Sequence, residues 1–505
     1  MSGFSGAVKI ADVSDYIAPS QSCVVALGQQ QPGAAAKLDL SGDWGAGGLD
    51  VGSPPGGEVH IQPRSASGEA GFSQVQVHKK SKKEEAIKVT LNDCLACSGC
   101  VTSAETVLME QQSIDELLRV LGRKGQLGAK AVVVTISAQS RTSLSMYYQI
   151  TPAEVMLKLS ALFKGLGAAL VFEDGLGRDL ALVEVLEEFW EAHARRRSEG
   201  RADVAPLLVS ECPGWVCYAE KTHGDLVVPY MSTTRSAAGV MGGLVKNLVP
   251  QRLGVPPSGV YHCFISPCYD KKLEASREEL RSSDFPDIDC VLATTELVQL
   301  IDMKGFDMST APHAALDDLF EPECSTLCAS RGSSGGYLDF VFRECAHRLK
   351  GERLPPGPLP LKVVRNTDFQ EISLYDGSGQ PLLCFALAYG FRNIQNIIRR
   401  IKTHKMQYHF VEVMACPSGC LNGGGQIKAP EAIDRKEFIA VLEGLYHHPQ
   451  IVERHPMQNP SVAKVIQGLG GRHTTQATAV LRTKYHSKVK KTPDASITVA
   501  AAINW

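Results

Sequence analysis

The sequence predicts an α/β protein built on parallel sheets covered by helices, two such sheets in all. From about Leu127 onward, short apolar runs alternate regularly with longer runs of helical pattern. Several of the apolar runs end in turns that hold cysteine beside proline or glycine, and the carboxyl ends of strands are where open α/β sheets gather their ligand loops. At 505 residues the chain has room for two or three domains and a large core. A hydrophobic share of 44% and a charged share of 21% are ordinary for a globular protein. The formal net charge of -2 argues against a dominant nucleic-acid or anionic-membrane surface. A membrane span needs a run of about 18 apolar residues, and none occurs.

Taken in order, residues 1–28 form a mildly apolar lead that carries Cys23 after Pro19-Ser-Gln-Ser. The lead lacks the basic-then-apolar layout of a signal peptide, and its acidic residues count against an organellar transit peptide. A cytosolic location is expected, with the nucleus as a second one. Residues 29–88 turn to Gly, Ala, Ser, Pro and Gln, a low-complexity insertion with too little apolar surface to fold alone. Its run His78-Lys-Lys-Ser-Lys-Lys83 reads as a solvated edge before it reads as a nuclear-import or RNA patch.

Residues 89–126 hold Cys94-Leu-Ala-Cys97-Ser-Gly-Cys100. Three thiols at that spacing, with Gly99 easing the turn, match one side of a [4Fe–4S] cubane. A zinc knuckle would want a fourth ligand within a few tens of residues downstream. The next cysteine is Cys212 and the next histidine is His193, which leaves Cys23 as the available fourth ligand.

The core is expected over 127–445. Its strands are Val132–Ile136, Ala169–Phe172, Pro206–Ser210, Val260–Ile265, Cys290–Ala293, Pro381–Ala386 and Tyr408–Met414. Its helices include Pro152–Lys164, Asp179–Arg196, Glu296–Lys304 and Asn393–Lys402. Gly165-Leu-Gly167 and Gly175-Leu-Gly177 lack the full glycine fingerprint of a dinucleotide site and are expected to be turns. Residues 446–505 follow as a helical region and a free tail, the latter from about Ser487.

Three strand ends carry thiols: Cys212-Pro-Gly-Trp215, Pro267-Cys268, and Cys416-Pro-Ser-Gly-Cys420 followed by Gly423-Gly-Gly425. Four thiols from three strand ends can close a second cubane, although any one Cys–Pro pair alone is more often a packed core residue. Fifteen cysteines without a secretion signal fit metal ligation better than a disulfide framework. Cys217, Cys263, Cys290, Cys345 and Cys384 fall on apolar faces and are expected to be core thiols. Cys324-Ser-Thr-Leu-Cys328 lies in an acidic loop without glycine and is not expected to bind metal.

Together these motifs resemble those of iron-only hydrogenases: Cys-Pro-Gly-Trp at 212–215, Ser-Pro-Cys-Tyr-Asp-Lys-Lys-Leu-Glu at 266–274, and Ala-Cys-Pro-Ser-Gly-Cys-Leu-Asn-Gly-Gly-Gly at 415–425. The resemblance extends to Thr295-Glu-Leu297, to Gly332-Ser-Ser-Gly-Gly336 and to Leu481-Arg-Thr-Lys-Tyr-His486, covering roughly residue 90 onward. With the lead around Cys23 and the run Leu91–Thr106, the chain is similar to the eukaryotic hydrogenase-like family of cytosolic iron–sulfur assembly, the nuclear prelamin A recognition factor-like family. The resemblance implies a two-lobed iron-only-hydrogenase-like fold with an N-terminal cluster-binding segment. It implies two [4Fe–4S] clusters, on Cys23, Cys94, Cys97 and Cys100, and on Cys212, Cys268, Cys416 and Cys420.

The chain also departs from hydrogenases. Where they place a proton-transferring cysteine it has Glu211, and where they place a methionine against the diiron unit it has Ser266. Lys271 matches a hydrogenase lysine that contacts a cyanide ligand of that unit. The family pattern therefore implies a non-catalytic protein linking an upstream scaffold to a cytosolic targeting complex that includes a WD-repeat protein. The alternative is an iron-only hydrogenase or another iron–sulfur oxidoreductase, and a third reading is an adaptor whose clusters only hold the fold. The final Ile503-Asn504-Trp505 is similar to the carboxyl-terminal signal of proteins handled by this machinery, with Asn504 in place of the commoner acidic residue.

Overall fold

The computed structural model describes residues 103–123, 126, 130–199, 205–282, 284–320, 327–329, 331–351 and 353–489. Cys23, Cys94, Cys97, Cys100, the insertion over 29–88, Cys324 and the terminal Ile503-Asn504-Trp505 lie outside the described residues.

In chain order, α1 (Ser103–Gln111) and α2 (Ile114–Leu121) precede β1 (Ala131–Ile136), α3 (Ala138–Tyr148), α4 (Pro152–Leu166) and β2 (Leu170–Glu173). Next come α5 (Gly175–Ser198), β3 (Leu207–Val209), α6 (Pro213–Val227), α7 (Ala237–Leu253) and β4 (Val260–Ser266). After α8 (Asp270–Ala275), β5 (Cys290–Ala293), α9 (Thr294–Met303) and α10 (Tyr337–Lys350), three strands follow: β6 (Lys362–Asn366), β7 (Phe369–Tyr375) and β8 (Pro381–Tyr389). The last are α11 (Phe391–Lys402), β9 (Phe410–Met414), α12 (Arg435–Tyr446), α13 (Pro460–Gly468) and α14 (Thr475–Leu481). Strands of two residues are left unlabelled.

The first sheet has the order β2-β1-β4-β5 and is parallel throughout. Its central strands β1 and β4 are buried along nearly their whole length because helices cover both faces. The helices are punctuated as their sequences require. Thr151 and Glu154 form a capping box at the start of α4, Pro152 takes the first turn, and Gly167 ends the helix at φ 110.

The second sheet has the order β3-β9-β8-β7-β6. It corrects the expectation of two parallel sheets: β3, β9 and β8 are parallel, but β7 and β6 are antiparallel. The turn Asp376-Gly-Ser-Gly379 is the cause. Asp376 N–H donates to Gln380 O and Gly379 N–H to Asp376 O, closing a hairpin that can only join antiparallel strands.

One apolar core joins the sheets through α5 and α7. It runs from Val133 and Phe172 past Leu182, Leu186 and Phe189 to Phe385 and Phe410. Phe385 and Phe410 stack at 4.9 Å, and Phe189 meets both edge-on at 5.2 and 5.6 Å. Gly175-Leu-Gly177 is not a turn but the opening of α5. A side chain at Gly177 would lie 2.5 Å from the Ala237 carbonyl, so that glycine lets α5 pack onto the start of α7.

The described C-terminal residues include α13 and α14, and packing continues past Ser487. Lys488 N–H donates to Glu220 O at 2.8 Å, and Ser487 sits against Gly224 on α6. Among the described residues, no helix is long and apolar enough to cross a membrane.

Candidate metal centre

Cys212, Cys268, Cys416 and Cys420 converge on one cavity between the sheets. Cys212 and the pair at 416 and 420 come from the adjacent strands β3 and β9, whereas Cys268 comes from β4 of the other sheet. The described residues thus bring together all four thiols expected of the second site.

Each thiol is fixed by local chemistry. Ser210, at the end of β3, donates its hydroxyl to Val413 O on β9 and accepts the Cys212 N–H at 2.9 Å. Cys212 then caps α6, its sulfur accepting the Trp215 N–H at 3.5 Å. On β4, the Ser266 hydroxyl folds back onto the amide and carbonyl of Cys268, both at 3.2 Å, setting the turn that presents the thiol.

The loop after β9 is the most constrained. Ser418 and Gly419 take positive φ of 58 and 73, the first held by its N–H to Asp368 at 2.7 Å. A side chain at Gly419 would lie 2.0 Å from Ser334 Oγ, which itself accepts the Cys420 N–H at 2.8 Å. One at Gly423 would lie 2.3 Å from Pro267 O, and Gly425 N–H donates to that carbonyl at 2.9 Å. The three-glycine run is therefore the seam where the loop of one sheet lies against the Cys268 turn of the other.

Burial pushes all four thiols up; neighbouring thiols add to it at Cys268, Cys416 and Cys420, and Asp270 at Cys212, Cys268 and Cys416, and for Cys416 the result is about 12. Only a strongly cationic group would hold four thiolates in this space. Among the described residues, no three His, Cys, Asp or Glu side chains are placed to share a single metal ion. Thiols spread around a cavity suit a group in which each sulfur meets a different metal atom, and four-cysteine ligation is how [4Fe–4S] clusters are held.

The positions that depart from hydrogenases have clear places. Glu211 accepts the Ala237 N–H at the start of α7 at 2.8 Å and the Tyr337 hydroxyl. The Lys271 ammonium meets Glu274 at 2.8 Å, Ser236 Oγ at 3.0 Å and Glu211 at 3.6 Å. Burial works against its charge, but the two carboxylates outweigh that and raise its pKa. Ser266 is fully buried within its own turn. Of the expected core thiols, Cys263, Cys290 and Cys345 are buried, whereas Cys217 and Cys384 are half-buried. Sequence reading missed the opposite wall, where Ser137, Asp174 and Arg178 line the cavity. A charged residue opening a helix after a parallel strand was the available signal.

Residues 130–424 match the family described as the iron only hydrogenase large subunit, C-terminal domain. The chain is 41% identical over 504 residues to cytosolic iron-sulfur assembly component 3 of Mus musculus, covering 98% of this chain and 99% of that one. It is 39% identical over 502 residues to protein NAR1 of Arabidopsis thaliana, covering 96% and 97%. Among solved structures, it is similar to an apo [FeFe]-hydrogenase HydA1 from Chlamydomonas reinhardtii. There the TM-score is 0.66 and the identity 22%, covering 74% of this chain and 99% of that one, which bears on the fold alone.

Proposed function

Because the chain belongs to the family of cytosolic iron–sulfur assembly component 3, on the fold of the iron-only hydrogenase large subunit's C-terminal domain, we propose that it is a non-catalytic [4Fe–4S] protein of cytosolic iron–sulfur assembly. The observation that carries the cluster reading is the convergence of Cys212, Cys268, Cys416 and Cys420 from two sheets on one cavity. Bound there, a cluster would supply one-electron chemistry or a transferable iron–sulfur unit. The chain's own part is to hold four thiolates at rigid strand ends and to keep water away from them. The first cluster, on Cys23, Cys94, Cys97 and Cys100, rests on spacing and resemblance. So do the scaffold and the WD-repeat targeting complex as partners, and the cytosolic location with the nucleus as a second one.

Two features favour a reading without hydrogen turnover. The Lys271 ammonium has three donors, and Ser236, Glu274 and Glu211 surround it. Ser236 and Glu274 lie within hydrogen-bond distance, and Glu211 at 3.6 Å adds a second carboxylate to balance the charge that an anionic ligand of a diiron unit would otherwise meet. Ser266, at the methionine position of hydrogenases, spends its hydroxyl inside its own turn.

Anaerobically purified protein should carry about eight irons and eight sulfides, and Cys97→Ser should remove about half of each. Stoichiometric zinc in place of iron would sink the cluster assignment. Infrared spectra should lack bands from metal-bound carbon monoxide or cyanide. Finding them, with hydrogen evolved from a reduced dye, would make the protein an oxidoreductase.

A further inference from the structure

Glu412 has no part in the site as described above, yet it sits fully inside the second sheet, four residues before Cys416. It lies on β9, an interior strand between β3 and β8, and is 2% exposed. A carboxyl group is rarely left in such a place without a charged partner. No cation among the described residues pairs with it. Its Oε2 accepts the Leu338 N–H from the start of α10 at 2.7 Å, and its Oε1 accepts the Tyr389 hydroxyl at 2.7 Å.

The tyrosine leads back to the thiols. Tyr389 closes β8 opposite Met414 and hydrogen-bonds with the buried Ser334, whose Oγ accepts the Cys420 N–H at 2.8 Å. Cys420 amide, Ser334 hydroxyl, Tyr389 hydroxyl and Glu412 carboxyl thus form one hydrogen-bonded chain. Other charge facing the group is negative: Asp339 on α10 and Glu211 at the end of β3. Burial, followed by these carboxylates, lifts Glu412 to about 7, against the pull of the Leu338 amide and the Tyr389 hydroxyl toward the ionised form.

We propose that Glu412 takes up a proton when the neighbouring cluster is reduced, so that electron and proton enter this half of the molecule together. The inference rests on Cys212, Cys268, Cys416 and Cys420 holding a cluster. One electron arrives from a low-potential one-electron donor, which is oxidised by one. Glu412 takes one proton from solvent, its carboxylate becoming a carboxylic acid. Net charge in the cavity region stays unchanged, which in a low-dielectric interior is the cheaper way to add an electron. The acid form keeps the Leu338 amide as a donor to its carbonyl oxygen, so no backbone group is orphaned.

The test is the midpoint potential of the EPR signal that survives Cys97→Ser, measured from about pH 6 to about pH 9 on anaerobic full-length protein. One proton per electron makes the potential fall by about 59 mV per pH unit. The slope should be present above about pH 7 and flatten below it, where Glu412 is protonated in both redox states. Glu412→Gln should keep the signal and abolish the slope. Tyr389→Phe removes a donor that favours the carboxylate, so it should move the onset to higher pH; a merely structural role would leave the onset alone. It also serves if Glu412→Gln does not fold. A clear signal with a pH-independent midpoint in the unsubstituted residue set overturns the inference and spares the cluster. Absence of any four-iron signal from this site overturns the cluster reading and the inference with it.

Discussion

At the scale of single residues, the candidate centre depends on places where only one side chain fits. Gly419 has φ 73 and ψ −156, a region open essentially to glycine, and a methyl there would meet Ser334 Oγ. Gly419→Ala should therefore displace Cys420 and remove about half of the bound iron if both clusters form, measured as iron per chain. Buried His262 is a second point of sensitivity. It bonds Thr135 Oγ1 at 2.8 Å and the Asp287 carbonyl at 3.0 Å, and burial, with Lys246 adding, lowers its pKa to about 3. Unfolding exposes it, so the unfolded chain binds the extra proton from about pH 6.5 downward, and stability falls as pH falls from there to about 3. A fully coupled site loses about 1.4 kcal/mol per pH unit in that window. His262→Gln should lower stability at neutral pH but flatten its acid dependence in denaturant titrations. The thiols of the second site were legible in sequence, because cysteine beside proline and glycine at strand ends is a local signal. Ser334, Tyr389 and Glu412 were not, since each becomes meaningful only when residues far apart in the chain meet.

At the scale of elements, legibility followed periodicity. The β1, β4 and β9 runs announced themselves as buried strands, and α4 and α11 as amphipathic helices. α7 did not, because it packs among α5, β4 and α14 and buries almost every residue from Ala237 to Val249, leaving no polar stripe to read. The β7–β8 hairpin was missed although Asp376-Gly-Ser-Gly379 carries the turn chemistry that makes it. The start of α7 also shows how elements are tied. Arg235 meets Asp287 at 2.5 Å with both side chains nearly inaccessible, and it also donates to Arg482 O at 2.9 Å. One guanidinium thus links α7, the approach to β5 and the chain leaving α14. Asp287→Ala would leave that charge buried without its carboxylate, a loss of about 3–5 kcal/mol. Urea unfolding should show the midpoint drop by a corresponding amount; a change within error would mean that water replaces the carboxylate at no cost.

At the scale of the whole molecule, the chain leaves the core along α6. Thr483 N–H donates to Thr233 O at 2.7 Å, His486 N–H to Glu220 Oε1 at 2.9 Å, and Lys488 N–H to Glu220 O at 2.8 Å. This fixes the point from which the last residues depart, on the helix capped by the candidate ligand Cys212. Ile503, Asn504 and Trp505 lie beyond the described residues, and we propose a docking role for them on chemistry alone. A terminal indole beside a free carboxylate is a compact handle: the ring fills an apolar pocket while an Arg or Lys of the partner holds the carboxylate. Such an anchor carries much of the energy of a small interface, on the order of 2 kcal/mol or more. Deleting Trp505 should leave iron and sulfide content unchanged yet weaken binding to the proposed WD-repeat targeting complex by about thirty-fold or more. The separation of the two effects is the substance of the prediction. Titration of the cluster-loaded protein into the purified complex measures it. Equal affinity with and without Trp505 would assign the docking energy to the folded surface instead.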